Sequence, residues 1–307
     1  MAKDSLLKGM LCDAAVNFYA VSAPEMIEKV RLMHGTSPVC TAALGRTLMA
    51  ASMMGAMMKV DGGEVSLIVK GGGPAGSIVC VGRTDGSVKG YITNPGVDLP
   101  PRESDGKLDV SGAVGSDGTL TVISDLGMKE PYIGQSNLVS GEIAEDVASY
   151  FLTSQQQPSA VFLGVHLNAG GVTSACGMIL QPMPNCPEPI LDLLESRLYA
   201  LKELPDLLAG GMDLRKAIDW MLGDTEPQYT QELTPEFRCD CSRERLEQVL
   251  INMGEKELLD MAKEQHGAEL TCHFCNSAYR FSEEELRALA ERAKQAKTTR
   301  GELNDGE

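Results

Sequence analysis

Basic charge is what this 307-residue chain most clearly lacks: acids outnumber bases 43 to 27, for a formal charge of -16. A surface that tracks phosphates needs a Lys/Arg excess, so nucleic acid is not an expected partner. Long apolar runs are missing too. Nothing approaches the roughly 18 residues of a membrane span, and Asp4, Lys8 and Asp13 interrupt the N-terminus where a signal peptide needs apolar sequence. The expected setting is therefore the cytosol, with no membrane partner. No paired-carboxylate, Ser-His-Asp or P-loop arrangement is visible, which leaves an enzyme reading without a site. Neither an internal repeat nor a coiled-coil heptad is present.

What is there suits a globular protein of about two domains: 43% of residues are hydrophobic and 23% charged. The 32 glycines favour hairpins and tight turns, and nine cysteines in a reducing compartment are thiols or metal ligands before they are structural disulfides.

The pattern predicts an α+β fold in four parts. Residues 1–185 form a sheet-and-helix core domain. Ser37-Pro38 opens a helix to about Lys59; Val65–Lys70, Ser77–Gly82, Val88–Thr93 and Leu120–Asp125 read as hairpin strands; Glu142–Thr153 reads as a helix. Ser159–Leu167 and Thr173–Leu180 pair around Asn168–Gly171. The proline-dense stretch 181–189 then marks a boundary. Residues 186–233 read as a helical linker, with Leu191, Leu194, Leu198 and Leu201 on one stripe, Pro205 and Gly210-Gly211 as breaks, and a helix over Asp213–Leu222. Such short amphipathic helices must lean on a neighbour to hide the stripe. Residues 234–297 read as a small zinc-binding α+β module, followed by a frayed polar tail, 298–307. In the module, Ser242 caps one helix, Gly254 separates it from Glu255–Glu264, Ala268–Phe281 is a hairpin, and Ser282 with Glu285 forms a capping box.

Cys239 and Cys241, as C-D-C, and Cys272 and Cys275, as C-H-F-C, carry the chemistry. Two close thiol pairs brought together by the fold supply the four corners of a tetrahedral zinc site. Four thiolates close the shell, which makes His266 and His273 bystanders. A four-cysteine site is most often a structural staple. The single residue inside C-D-C strains any disulfide across it, however, so a site that holds metal when reduced and yields it when oxidised is the other possibility. The glycines Gly71, Gly73 and Gly76 spell G-x-G-x-x-G, but Pro74 lies inside the motif and a strand follows it, so a hairpin is favoured over a nucleotide loop. Cys12, Cys40, Cys80, Cys176 and Cys186 stand alone and read as buried apolar residues. The methionines Met53, Met54, Met57 and Met58 read as core.

Several segments go beyond composition: H-G-T-S-P (34–38), A-A-L-G-R-T (42–47), V-K-G-G-G-P-A-G (69–76), G-Y-I-T-N-P (90–95), L-V-S-G-E-I-A-E-D (138–146), Q-P-M-P (181–184), F-R-C-D-C-S-R-E-R (237–245) and T-C-H-F-C-N (271–276). In these the chain resembles the redox-regulated heat-shock chaperones, ATP-independent holdases of thirty-three kilodaltons in the bacterial cytosol. Only the turn at 168–171 looks short for that family. The resemblance implies that Cys239, Cys241, Cys272 and Cys275 bind zinc in a reduced, inactive protein. It implies that oxidation pairs Cys239 with Cys241 and Cys272 with Cys275, releases zinc and loosens the linker. The oxidised protein, often a dimer, would then hold unfolding clients until ATP-dependent chaperones take them. The five solitary cysteines have no part in that switch. A constitutive zinc-stabilised interaction module without a switch is the alternative, and a thiol oxidoreductase is a third reading.

Overall fold

The computed structural model describes residues 3–304, with side chains through residue 295. It divides into two compact units at the Arg238–Cys239 bond.

In the first unit, strands β1 (Ser5–Leu11) and β2 (Val16–Ser22) are followed by helices α1 (Pro24–His34) and α2 (Pro38–Met57). Next come β3 (Glu64–Lys70), β4 (Ser77–Arg83), β5 (Val88–Ile92), the short α3 (Val110–Val114), β6 (Thr119–Asp125) and β7 (Tyr132–Asn137). Helix α4 (Ala144–Thr153) leads to β8 (Ala160–Asn168) and β9 (Gly171–Pro182). The unit ends with α5 (Glu188–Leu198), α6 (Leu204–Ala209), α7 (Leu214–Leu222) and β10 (Gln228–Leu233), with 3-10 turns at Ala200–Glu203 and Gly223–Thr225.

Two five-stranded sheets result, ordered β10-β1-β2-β9-β8 and β5-β4-β3-β6-β7, antiparallel throughout. Helix α2 packs against strands of both. That position explains its sequence: P-V-C-T-A-A-L-G-R-T-L-M has no polar face because the helix has no solvent face, and nearly every residue is buried. Its start is set by Ser37, whose Oγ accepts the Cys40 N–H at 3.2 Å ahead of Pro38. The sheet approaches closely at Gly82, where a Cβ would stand 1.9 Å from the Ala51 carbonyl oxygen. Gly71 and Gly73 belong to the β3–β4 loop and lie against the Val114–Gly115 backbone, so the hairpin reading of that glycine run holds. Asp146 organises the loop before α4: its carboxylate accepts the N–H groups of Val139 (2.7 Å), Ser140 (3.1 Å), Gly141 (3.3 Å) and Ile143 (3.0 Å).

Helices α5 to α7 cover the first sheet on the face away from α2. Along β9, Cys176, Met178 and Leu180 face these helices, while a Cβ on Gly177 would meet the Met53 side chain of α2. Leu194, Leu201, Leu204, Leu208, Ile218 and Leu222 share one core with Leu7, Leu11, Phe18 and Met178. The stripe differs from expectation at its start, since Leu191 is 36% exposed. The helix also breaks earlier than Pro205, at a 3-10 turn, and Pro205 lies in the first turn of α6. The missing N–H of proline is not needed there. The stretch 186–233 is not helical to its end: β10 closes the sheet against β1, with Leu6 opposite Leu233.

The second unit holds α8 (Arg243–Met253), α9 (Glu255–Glu264), the hairpin β11 (Gly267–Thr271) and β12 (Ala278–Ser282), and α10 (Glu283–Asn304). Helix α10 runs past the expected end near Lys297; the tail beyond residue 304 lies outside the described residues. Ser282 and Glu285 form the expected capping box, Glu285 N–H to Ser282 Oγ at 3.2 Å and Ser282 N–H to Glu285 Oε2 at 2.8 Å. The core is small: Leu250, Ile251, Leu258, Phe281, Leu286 and Leu289 with three alanines.

Candidate metal centre

Cys239 and Cys241 lie on the segment leading into α8. Two local contacts fix that segment. Ser242 caps α8, its Oγ accepting the Arg245 N–H at 3.3 Å, and the Arg245 guanidinium reaches back to the carbonyl (3.1 Å) and carboxylate of Asp240. Cys272 and Cys275 lie on the β11–β12 turn. Asn276 N–H donates to the Cys272 carbonyl at 2.8 Å and Cys272 N–H to the Ser277 carbonyl at 3.0 Å, with Asn276 in the left-handed region at φ 56. The knuckle is thus closed by backbone, and both thiols of the turn are free to converge.

The four Sγ atoms lie within 4.8 Å of one another. The Sγ contacts run between the pairs, 3.3 Å from Cys241 to Cys275 and 3.7 Å from Cys239 to Cys272. A metal–sulfur bond of about 2.3 Å gives a tetrahedron edge of about 3.8 Å. The donor set and its spacing therefore could hold a metal ion, and four sulfurs are a soft set. Neither histidine joins the group: His273 is exposed, and His266 Nδ1 lies 3.0 Å from Glu283.

Two further side chains address the sulfurs. The Tyr279 hydroxyl is 3.2 Å from Cys241 Sγ, and the Ser277 hydroxyl 3.2 Å from Cys275 Sγ. Sequence reasoning passed over both. The signal for them was position, since Ser277 directly precedes β12 and Tyr279 lies on it, the strand that carries the knuckle back. Electrostatics divide the thiols. Burial and the neighbouring thiols push Cys239 up, and burial pushes Cys241 up despite its Tyr279 hydrogen bond. Burial also acts on Cys275, but the Ser277 hydroxyl and N–H and the Cys241 and Cys239 thiols outweigh it and bring Cys275 down to about 7. The hydrogen bond with Cys241, then partial burial, pushes Tyr279 up to about 12. A lowered thiol is closer to the thiolate, the form that ligates metal and reacts with oxidants. Among the solitary cysteines Cys40, Cys80 and Cys176 are buried, as expected, while Cys12 and Cys186 are only partly so.

The family model described as "Hsp33 protein" matches residues 4–282. The chain belongs to the Hsp33 family. It is 45% identical over 291 residues to the "33 kDa chaperonin" of Alkaliphilus oremlandii, covering 94% of this chain and 96% of that protein. To the "33 kDa chaperonin" of Clostridium perfringens it is 42% identical over 289 residues, covering 94% and 91%. The crystal structure of the Hsp33 homolog of Thermotoga maritima superposes with a TM-score of 0.86 at 34% identity, covering 95% of this chain and 99% of that one. As an Hsp33-family protein the chain is a chaperone that binds client proteins, not an enzyme. Its architecture is the mixed helix-and-sheet fold of that family with a C-terminal cysteine cluster. Among the described residues no helix is long and apolar enough to cross a membrane.

Proposed function

We propose that this chain is a redox-regulated, ATP-independent holdase of the cytoplasm, inactive while Cys239, Cys241, Cys272 and Cys275 hold zinc. The convergence of those four sulfurs within 4.8 Å is the observation that carries the reading. Bound zinc would act as a tetrahedral staple between the α8 approach and the β11–β12 turn, and has no redox chemistry of its own.

The redox chemistry belongs to the thiols. One sulfur of the Cys272 and Cys275 pair attacks peroxide and becomes a sulfenic acid; the other attacks that sulfur, the S–S bond forms and the S–O bond breaks, with two electrons passing to peroxide and two waters leaving. Cys239 and Cys241 close the second disulfide in the same way. Paired sulfurs have no anionic lone pair left to ligate with, so oxidation releases the metal. A module whose apolar core amounts to Leu250, Ile251, Leu258, Phe281, Leu286 and Leu289 then loses its main support. In the first unit, α5 to α7 are the short helices whose apolar face is available to unfolding clients once they loosen. The oxidised form acts as a homodimer and passes clients to ATP-dependent chaperones.

The test measures zinc content and aggregation suppression on the same sample, before and after peroxide at heat-shock temperature. Zinc loss together with gained suppression is the expected result. Suppression that is equal in both states would mean a constitutive zinc-stabilised interaction protein, and catalytic turnover of a small disulfide would mean an oxidoreductase.

A further inference from the structure

Cys12 and Cys186 lie outside the metal cluster, and the fold brings them to one corner of the first unit. Cys12 opens the β1–β2 turn, in which Cys12, Asp13 and Ala14 all take positive φ, at 52, 51 and 66. Three backbone hydrogen bonds connect that turn to Cys186. Ala15 N–H donates to the Cys12 carbonyl at 3.0 Å, Met183 N–H to the Ala15 carbonyl at 2.8 Å, and Cys186 N–H to the Met183 carbonyl at 3.0 Å. The last of these is a turn that folds the chain back after β9, with Asn185 at φ 66. Both cysteines pack against the same apolar core beneath α5 to α7.

The corner is also where that helical cover begins and ends. Only Pro187 separates Cys186 from α5, and Cys12 N–H donates to the Thr225 carbonyl at 2.7 Å, in the 3-10 turn after α7. Both thiols are partly exposed, unlike the buried Cys40, Cys80 and Cys176.

We propose that Cys12 and Cys186 are a third dithiol pair, which closes a disulfide under peroxide and ties the start of the α5–α7 cover to the β1–β2 turn. One thiolate attacks peroxide, giving a sulfenic acid and hydroxide. The other sulfur attacks the sulfenyl sulfur, the S–S bond forms, the S–O bond breaks and water leaves. Two electrons pass from the two sulfurs to peroxide. Burial and the nearby Cys186, Asp224, Asp13 and Glu226 hold the Cys12 thiol above its ordinary value, so little of it is thiolate. The bond acts as a tether: the cover can lift along its length while its first residue stays on the sheet.

The pairing stands independently of the switch proposed above. The full-length, metal-loaded chain is exposed to peroxide at heat-shock temperature and quenched by alkylation. It is digested so that Cys176 and Cys186 fall on different peptides, and mapped without reduction. The expected product is a Cys12–Cys186 peptide pair, two hydrogens lighter than the separate peptides, in the monomer fraction. Both residues recovered alkylated after the C-terminal four have reacted would overturn the pairing. So would a link found only between chains, or a link from either residue to the C-terminal cysteines. The map reads those cysteines separately, so the pairing and the switch fail independently. The tether is tested by limited proteolysis of the oxidised protein. Cleavage between Glu188 and Leu198 should be several-fold faster in Cys12→Ser than in the parent, and equal rates would refute it.

Discussion

The two units solve the same problem of burial with different means. In the first, α2 lies between two sheets and a third apolar layer, α5 to α7, closes the outer face of one of them. In the second, three helices and a two-stranded hairpin share one small core, and four thiols meet beside it. The first unit has enough apolar contact to stand alone. On the function proposed above, a metal held by the sulfurs supplies what the small core does not, and a chemical event at sulfur would then change the fold.

The largest effect that would test this contrast is removal of two ligands. Cys272→Ser combined with Cys275→Ser should abolish stoichiometric zinc and cost the second unit the roughly 10–16 kcal/mol that zinc gives small modules. Hydrogen exchange should show protection lost after residue 239 and kept in α2 and β9. Protection that survives in α8 and α9 would mean that the small core suffices. A smaller effect is expected within the first unit. Leu204 is fully buried, and Leu204→Asp should weaken docking of α6 by about 4 kcal/mol through the lost packing and the buried charge. The reduced, zinc-loaded variant should suppress aggregation better than the parent. If it keeps its zinc and suppresses no better, the α5–α7 face is not what the switch uncovers.

Smaller again is Tyr279→Phe, which removes the hydroxyl 3.2 Å from Cys241 Sγ. The hydrogen bond is worth about 1 kcal/mol, and zinc affinity, read by competition with a chromophoric chelator, should fall about fivefold. An unchanged affinity would reduce Tyr279 to a packing residue. The smallest effect is one of pH. Burial raises the Asp4 carboxyl to about 6 although it accepts the Glu25 and Met26 N–H groups at the start of α1. A raised carboxyl binds its proton more tightly folded than unfolded. Its stabilising share is present below about pH 4 and is lost as pH rises through about 6. The difference in melting temperature between the parent and Asp4→Asn should therefore move in favour of the parent as pH falls from 7 to 5. A difference that does not vary with pH would contradict the raised carboxyl.

The parts legible from sequence were those whose cause is local. Ser37-Pro38 announces α2, Ser282 and Glu285 announce α10, and the spacing of the four cysteines announces their convergence. What escaped depends on distant partners. S-L-L-K-G-M-L gives β1 no strict alternation, because Leu6 and Leu7 are buried on both faces of the sheet. Q-Y-T-Q-E-L hardly reads as a strand at all, and becomes one only because β1 offers an edge. Leu191 has the right spacing for the stripe, yet it remains 36% exposed while Leu194 and Leu201 are buried. Tyr279 was hidden for a related reason: only the hairpin register turns it toward Cys241.

The pairing of β1 with β10 also bears on synthesis. Leu6 meets Leu233, so the first strand made waits for one of the last in the unit. Until residues 228–233 leave the ribosome, one edge of β1 is open. Open edges and uncovered apolar faces are where nascent chains aggregate. A chain cut short before Gln228 therefore exposes the kind of surface that a holdase exists to shield, and during its own translation this chaperone is for a time a client.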